Sequence, residues 1–369
     1  MSRLGQFWVK FVVLALMLLG LPLTGVWLAG YPVDRYLQFP PKTLYIQHAR
    51  FSWIAFSVYA VSIVSVLLAF SIIGIRFYQR GRRRDLSRFA FPWWGWAGLA
   101  AGCLAWILAW TRFPWFADIQ PHTFTPLWLC YILVINAMCF RRTGRCLITD
   151  RPGFLLLLFP TSAAFWWFFE YLNRFVQNWY YLGSQYSAWS YFWLATLPFS
   201  TVLPAVLSTR ELFQSARWLR CAFGRLEPIR VPRAHWLAGA GLLVSAFGLA
   251  GVGLWPDYLF PLVWVSPLLI IVCLQTLMNE RHVFSDMTAG DWHMAVASCL
   301  AALQCGFFWE MWNAYSLAKW RYSIPFVGRF RLFEMPILGY AGYLPFGLGC
   351  TVIGDLLTQA VGSSQKRMR

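Results

Sequence analysis

The chain has 369 residues, of which 59% are hydrophobic and only 12% charged, with 23 Trp and 32 Phe. Soluble domains carry about a quarter of their residues charged, so this composition excludes a soluble globular protein and points to a polytopic helical membrane protein. The net charge of +17 does not imply a nucleic-acid partner, because the basic residues fall in short blocks between apolar runs, the pattern of the positive-inside rule.

Apolar segments recur along the whole length at 8–28, 51–75, 92–112, 126–140, 154–172, 189–208, 235–255, 259–278, 293–312 and 336–357. They predict an all-α bundle of about ten transmembrane helices, the fourth short for a full span. The first segment reads as an uncleaved anchor, because Pro22 and Trp27 stand where a signal-peptide cleavage region is small and plain. The second is followed by the block R-F-Y-Q-R-G-R-R-R-D-L-S-R at 76–88, read as a topogenic loop facing lipid headgroups. Residues 1–91 thus form two N-terminal helices that stand apart.

Residues 92–208 and 235–358 each read as a four-helix unit, joined by the basic linker 209–234 with Glu227-Pro228 and Val231-Pro232 and closed by the basic tail 359–369. Four is an even number, so the two units are expected to be tandem repeats in parallel orientation. Nine of the 31 basic residues fall on the side opposite the basic blocks: Arg35, Lys42, Arg50, Arg112, Arg174, Lys319, Arg321, Arg329 and Arg331. That asymmetry predicts both termini in the cytoplasm of a bacterial inner membrane. No cysteine lies in an outer loop; Cys146 and Cys221 fall in cytoplasmic loops and the other seven in apolar segments, so no disulfide framework is expected.

The candidate site rests on a pair that occurs twice. F-W-W-F-F-E-Y-L-N holds Glu170 and Asn173, and G-F-F-W-E-M-W-N holds Glu310 and Asn313, both residues displaced by 140. The likeness continues as N-W-Y-Y at 178–181 and K-W-R-Y at 319–322. A carboxylate in an apolar helix costs about 3 kcal/mol by insertion scales, and residues three apart share a helix face. One reading makes each pair interhelical glue. The other makes them a polar site, with Glu310 or Glu170 as acid or base and Asn313 or Asn173 orienting a substrate oxygen.

Glu334, before Met335-Pro336, is a third candidate acid or else a cap on the last helix. Arg329 and Arg331 either pair with it or bind an anionic headgroup. Trp179, Trp320 and Tyr322 belong to outer loops, where aromatics form an interfacial belt or recognise substrate. No two histidines have metal-ligand spacing, so neither a metal nor a cofactor is expected. There is also no aspartate-rich prenyltransferase pair, G-x-S-G, H-E-x-x-H, Walker loop or GxGxxG. The residues fit an enzyme or binding protein acting on a lipid or isoprenoid, whose partners are membrane lipids and a hydrophobic small molecule rather than nucleic acid. A secondary transporter coupled to H+ or Na+ and a structural subunit of a membrane complex are the alternatives.

Overall fold

The computed structural model describes residues 3–41, 44–82, 89–182 and 186–365. Lys42, the 83–88 part of the basic block and the basic residues from 366 onward lie outside the described residues. The molecule is an all-α polytopic bundle. Among the described residues nine helices are long and apolar enough to cross a membrane, and a tenth, Pro261–Leu277, is apolar but has 17 residues. The helix expected to be short is not: it runs Phe124–Thr143 and ends on Gly144 in the left-handed conformation. The shortened one is Pro261–Leu277, because Pro256 and Pro261 each begin a new helix and split the segment into two.

In chain order the spans are α1 (Gly5–Leu28), α2 (Trp53–Arg82), α3 (Trp93–Trp110), α4 (Phe124–Thr143) and α5 (Pro152–Val176), then strand β1 (Trp179–Leu182). There follow α6 (Ala188–Phe199), α7 (Val202–Gln214), the short linker helix α8 (Arg217–Phe223), α9 (Ala234–Gly251), α10 (Pro261–Leu277) and α11 (His293–Tyr315). Strands β2 (Lys319–Tyr322), β3 (Arg331–Leu332) and β4 (Met335–Pro336) precede the last helix, α12 (Tyr343–Gln365).

The core forms around α7, whose residues from Val202 to Arg210 are all buried and which packs against α4, α5, α11 and α12. A helix buried on every side must be apolar all round, and here Val202, Leu203, Ala205, Val206 and Leu207 supply that surface. Pro198 and Pro204 bracket the break between α6 and α7. Ser162 of α5 repairs it: its hydroxyl donates to the Phe199 carbonyl and accepts from the Leu203 N–H. Backbone groups freed inside a membrane need such a partner. Outside the core, α3 packs on α4 and α9 on α10.

The two N-terminal helices do not both stand apart. α1 packs against α9, α10 and α12, and Lys10, only 1% exposed, is paired with Glu280 beyond the end of α10. A buried ammonium needs that carboxylate. α2 does stand off, with 6% of its span buried. It is fastened at one end by Phe70 on Phe223 and Tyr78 on Trp218 of α8, and at the other by Trp53 and Phe56 on Phe330. The described residues just before α2 are tied across the end of the bundle. His48 Nδ1 lies 2.6 Å from Asp257 Oδ1, and the Ser52 N–H donates to the Phe326 carbonyl at 2.9 Å.

Candidate functional site

Helices α5 and α11 end at the same face of the bundle, and the strands that follow them pair with each other. β1 and β2 form an antiparallel ribbon with Trp179 opposite Tyr322, Tyr180 opposite Arg321, and Tyr181 opposite Trp320. Exchanging the two W-x-Y strands maps this register onto itself. Alternate residues of a strand share a face, so Trp179, Tyr181, Trp320 and Tyr322 lie on one side of the ribbon. The sequence reading placed these residues in loops; the ribbon, and the small β3–β4 pairing, were not expected.

The asparagines build the corners between helix and strand. Asn173 Oδ1 accepts the Asn178 and Trp179 N–H groups at 2.9 and 3.4 Å, and its amide donates to the Trp179 carbonyl at 2.8 Å. Asn313 repeats the arrangement on Trp320, accepting its N–H and donating to its carbonyl, both at 2.9 Å. The second corner is one residue longer. Both asparagines are fully buried, and both ends of each amide are spent on backbone. Neither amide is thus left free to meet a substrate oxygen in this arrangement.

Each glutamate sits one turn before its asparagine and collects aromatic donors. Glu170 Oε1 accepts from the indoles of Trp166 and Trp179, each at 3.1 Å, and from the Tyr181 hydroxyl. Glu310 Oε1 accepts from the hydroxyls of Tyr322 at 2.7 Å and Tyr343 at 2.9 Å. Both carboxyls are fully buried, and in each Oε2 has no hydrogen-bond partner among the described residues. Burial pushes the Tyr181 and Tyr322 phenols well above the ordinary tyrosine range, with the adjacent glutamates adding to the shift, so both remain O–H donors at neutral pH.

The donors, not the glutamates, face open space. A cavity of about 1040 Å³ is walled by Trp166, Trp179 and Tyr181 from the first corner and by Trp320, Tyr322 and Tyr343 from the second. Tyr59 and Ile63 of α2, Leu194 and Pro198 of α6, and Trp264 of α10 complete it. The glutamates stand one layer behind this wall and act on the cavity only through the side chains they hold. Asn178 and Lys319, which occupy the matching place just before each W-x-Y, also line it.

The remaining candidates are distributed around the ribbon. Glu334 does not cap α12: it lies between β3 and β4, with Lys319 Nζ at 2.8 Å and Arg321 Nε at 3.5 Å. Neither Arg329 nor Arg331 pairs with it. The Arg329 guanidinium covers the Phe51 ring at 4.5 Å, and Arg331 donates to the Tyr322 carbonyl at 3.5 Å. Trp179 is 3% exposed, unlike Trp115 at 73% and Trp189 at 70%, so the loop aromatics divide into a buried wall and an exposed belt.

Sequence reasoning passed over Tyr181, Tyr343 and Trp166 as site residues. The first was available from the period-two match of W-Y-Y to W-R-Y. Tyr343 was not, since nothing in the sequence joins it to Glu310. Comparison with family models, with curated proteins and with solved structures finds no match to this chain.

Proposed function

We propose that this multi-pass membrane protein binds, and acts on, a lipid or isoprenoid substrate held in the cleft between α2 and the bundle. The observation that carries the reading is the cleft itself: about 1040 Å³, lined mainly by aromatic and aliphatic side chains and bordered by a helix whose span is only 6% buried. Ligand sites are typically apolar cavities of about 300–1,000 Å³ with a few placed polar groups. Here those groups are the hydroxyls of Tyr181, Tyr322 and Tyr343. A substrate chain would enter past the bare middle of α2, directly from hydrocarbon. Tyr181 and Tyr343 would touch the substrate, while Glu170 and Glu310 would orient and polarise them, and in an enzyme exchange a proton through them.

The matching corners support a further part of the reading: that the site is made from two copies of one four-helix unit, 92–208 and 235–358, related by an axis along the membrane normal. The ribbon end would then face the extracytoplasmic side of a bacterial inner membrane, with both termini cytoplasmic. The carrier reading draws on one observation, a buried seam in which Gln304 donates to Tyr131 at 2.9 Å and Tyr131 meets Thr209 at 3.0 Å. Its members satisfy one another, which suits helix packing.

Two variants test the proposal. Gly342→Trp places an indole where a Cβ meets no atom within 4 Å, in the cavity wall, and is expected to abolish both lipid retention in detergent and complementation of a deletion strain. Glu310→Gln keeps the shape and an acceptor but cannot titrate, and is expected to retain lipid and lose complementation. Full complementation by the Glu170→Gln/Glu310→Gln double variant would remove the carboxyls from the mechanism. Unchanged lipid retention in Gly342→Trp would remove the cleft.

A further inference from the structure

The segment 319–334 holds Lys319, Arg321, Arg329 and Arg331 against the single acid Glu334, at the end of the molecule where the charge pattern otherwise keeps cations sparse. Glu334 is already shared between Lys319 and Arg321. The other two cations are anchored without a carboxylate, Arg329 on a ring face and Arg331 on a carbonyl. Each guanidinium has five N–H donors in a fork suited to phosphate, and among the described residues each arginine spends few of them. Lys319 is, among the described residues, the only formally charged side chain lining the apolar cavity. Its ammonium gives one proton to Glu334 and one to the Ala314 carbonyl at 3.1 Å, and an ammonium has three.

Of the four cations Lys319 alone lines the aromatic cleft; Arg321 is tied to it through the shared Glu334 and Arg331 through the Tyr322 carbonyl, so positive charge gathers as a rim beside one edge of the cleft. We propose that the occupant is a lipid with a phosphate-bearing anionic headgroup, its phosphate against Lys319, Arg321 and Arg331 and its chains in the cleft. This inference rests on the lipid reading above and adds the headgroup to it. Glu334 then competes with the ligand: it holds Lys319 and Arg321 in place while the rim is empty, and a phosphate takes over part of its role when the lipid arrives. A zwitterionic lipid carries its own ammonium and would bring like charge to the same rim, which costs affinity.

The test uses the full chain in nanodiscs containing equal phosphatidylcholine and phosphatidylglycerol, with bound lipid counted by native mass spectrometry after release. The wild type is expected to retain phosphatidylglycerol over phosphatidylcholine by about tenfold or more, a ratio worth about 1.4 kcal/mol. Lys319→Gln/Arg331→Gln should bring the ratio near one through loss of phosphatidylglycerol, with phosphatidylcholine retention unchanged. Glu334→Gln, which frees two cations, should raise the ratio, an outcome that a folding defect cannot imitate. Equal retention of the two lipids by the wild type, or an unchanged ratio in Lys319→Gln/Arg331→Gln, overturns the headgroup inference and leaves the cleft standing. Absence of any retained lipid overturns the cleft itself. Displacement of the signal by inorganic phosphate alone would assign the rim to a free anion and overturn the lipid.

Discussion

The Glu170 and Glu310 corners share a motif, a helix end and a strand, yet they recruit their donors differently. The first is self-contained: Trp166 one turn back on α5, and Trp179 and Tyr181 on β1, all reach Glu170. In the second the position that matches Trp166 is Gly306, and the vacated space is taken by Tyr343 of α12, whose hydroxyl reaches Glu310. A Cβ at Gly306 would come within 2.4 Å of the Tyr343 ring. Trp320, unlike Trp179, turns its indole to the Tyr322 hydroxyl at 2.8 Å. The same carboxyl is thus a local clasp in one corner and a tie between α11, the ribbon and α12 in the other. The second corner also carries Lys319 where the first has Asn178. Under the proposed function the first corner is assigned to support and the second to chemistry.

Replacing the carboxyls with apolar side chains gives the largest expected effect on stability. Each donor left buried without an acceptor costs about 1–3 kcal/mol. Glu170→Leu orphans three donors and should lower stability by about 3 kcal/mol or more; Glu310→Leu orphans two and should cost about 2 kcal/mol. Melting in one detergent compares them directly, and a larger loss at Glu310 would reverse the assignment of support to the first corner.

Next in size is Gly306→Ala. The added methyl must displace Tyr343, and overpacking of this kind costs about 1–3 kcal/mol. We expect this variant to reproduce much of the functional loss of Tyr343→Phe, whereas Trp166→Phe, which removes one donor to Glu170 but keeps an aromatic ring in the cavity wall, should leave function largely intact. Equal functional loss in Gly306→Ala and Trp166→Phe would make the corners equivalent after all.

The asparagines give a stability loss of similar size, but one confined to the ribbon. Asn173→Ala and Asn313→Ala each remove bonds to the backbone of the following strand, for about 1 kcal/mol per bond, and should loosen the ribbon at one end only. Amide exchange resolved to Trp179 and Trp320 would report it. Faster exchange at both ends in either variant would mean that the ribbon opens as one unit.

How much of this was legible beforehand follows from the kind of signal each feature leaves. The spans were readable because lipid demands long apolar runs, and the Glu–Asn pairs because intramembrane carboxyls are conspicuous. The ribbon was missed because two four-residue strands, each unpaired within its own segment, look like aromatic loops until the ends of α5 and α11 are seen side by side. The asparagines were open to two readings, helix glue or substrate contact, and their amides bond the backbone of the following strand, a distinction that spacing alone cannot carry. The place of α1 against α9, α10 and α12 brings Lys10 to Glu280, and no local pattern joins residues so far apart.

The smallest expected effect compares the two corners through Tyr181 and Tyr322. In the folded protein both phenols are held well above the ordinary tyrosine range, chiefly by burial, while the unfolded chain ionises at about 10. A group whose folded value is raised contributes stability that is complete below the unfolded value and is lost as pH rises beyond it. Melting temperature should therefore hold steady from neutral pH to about 9 and fall above about 10. Other tyrosines add to that slope, so the measurement is the difference made by Tyr181→Phe and Tyr322→Phe, each of which should flatten the alkaline limb. Tyr322 also accepts the Trp320 indole N–H, so the second corner tests whether that extra donor softens the effect. If neither variant changes the slope, both hydroxyls ionise in the folded protein as freely as in the unfolded chain. In that event the wall they form is open to water and does not hold its donors against the carboxyls behind it.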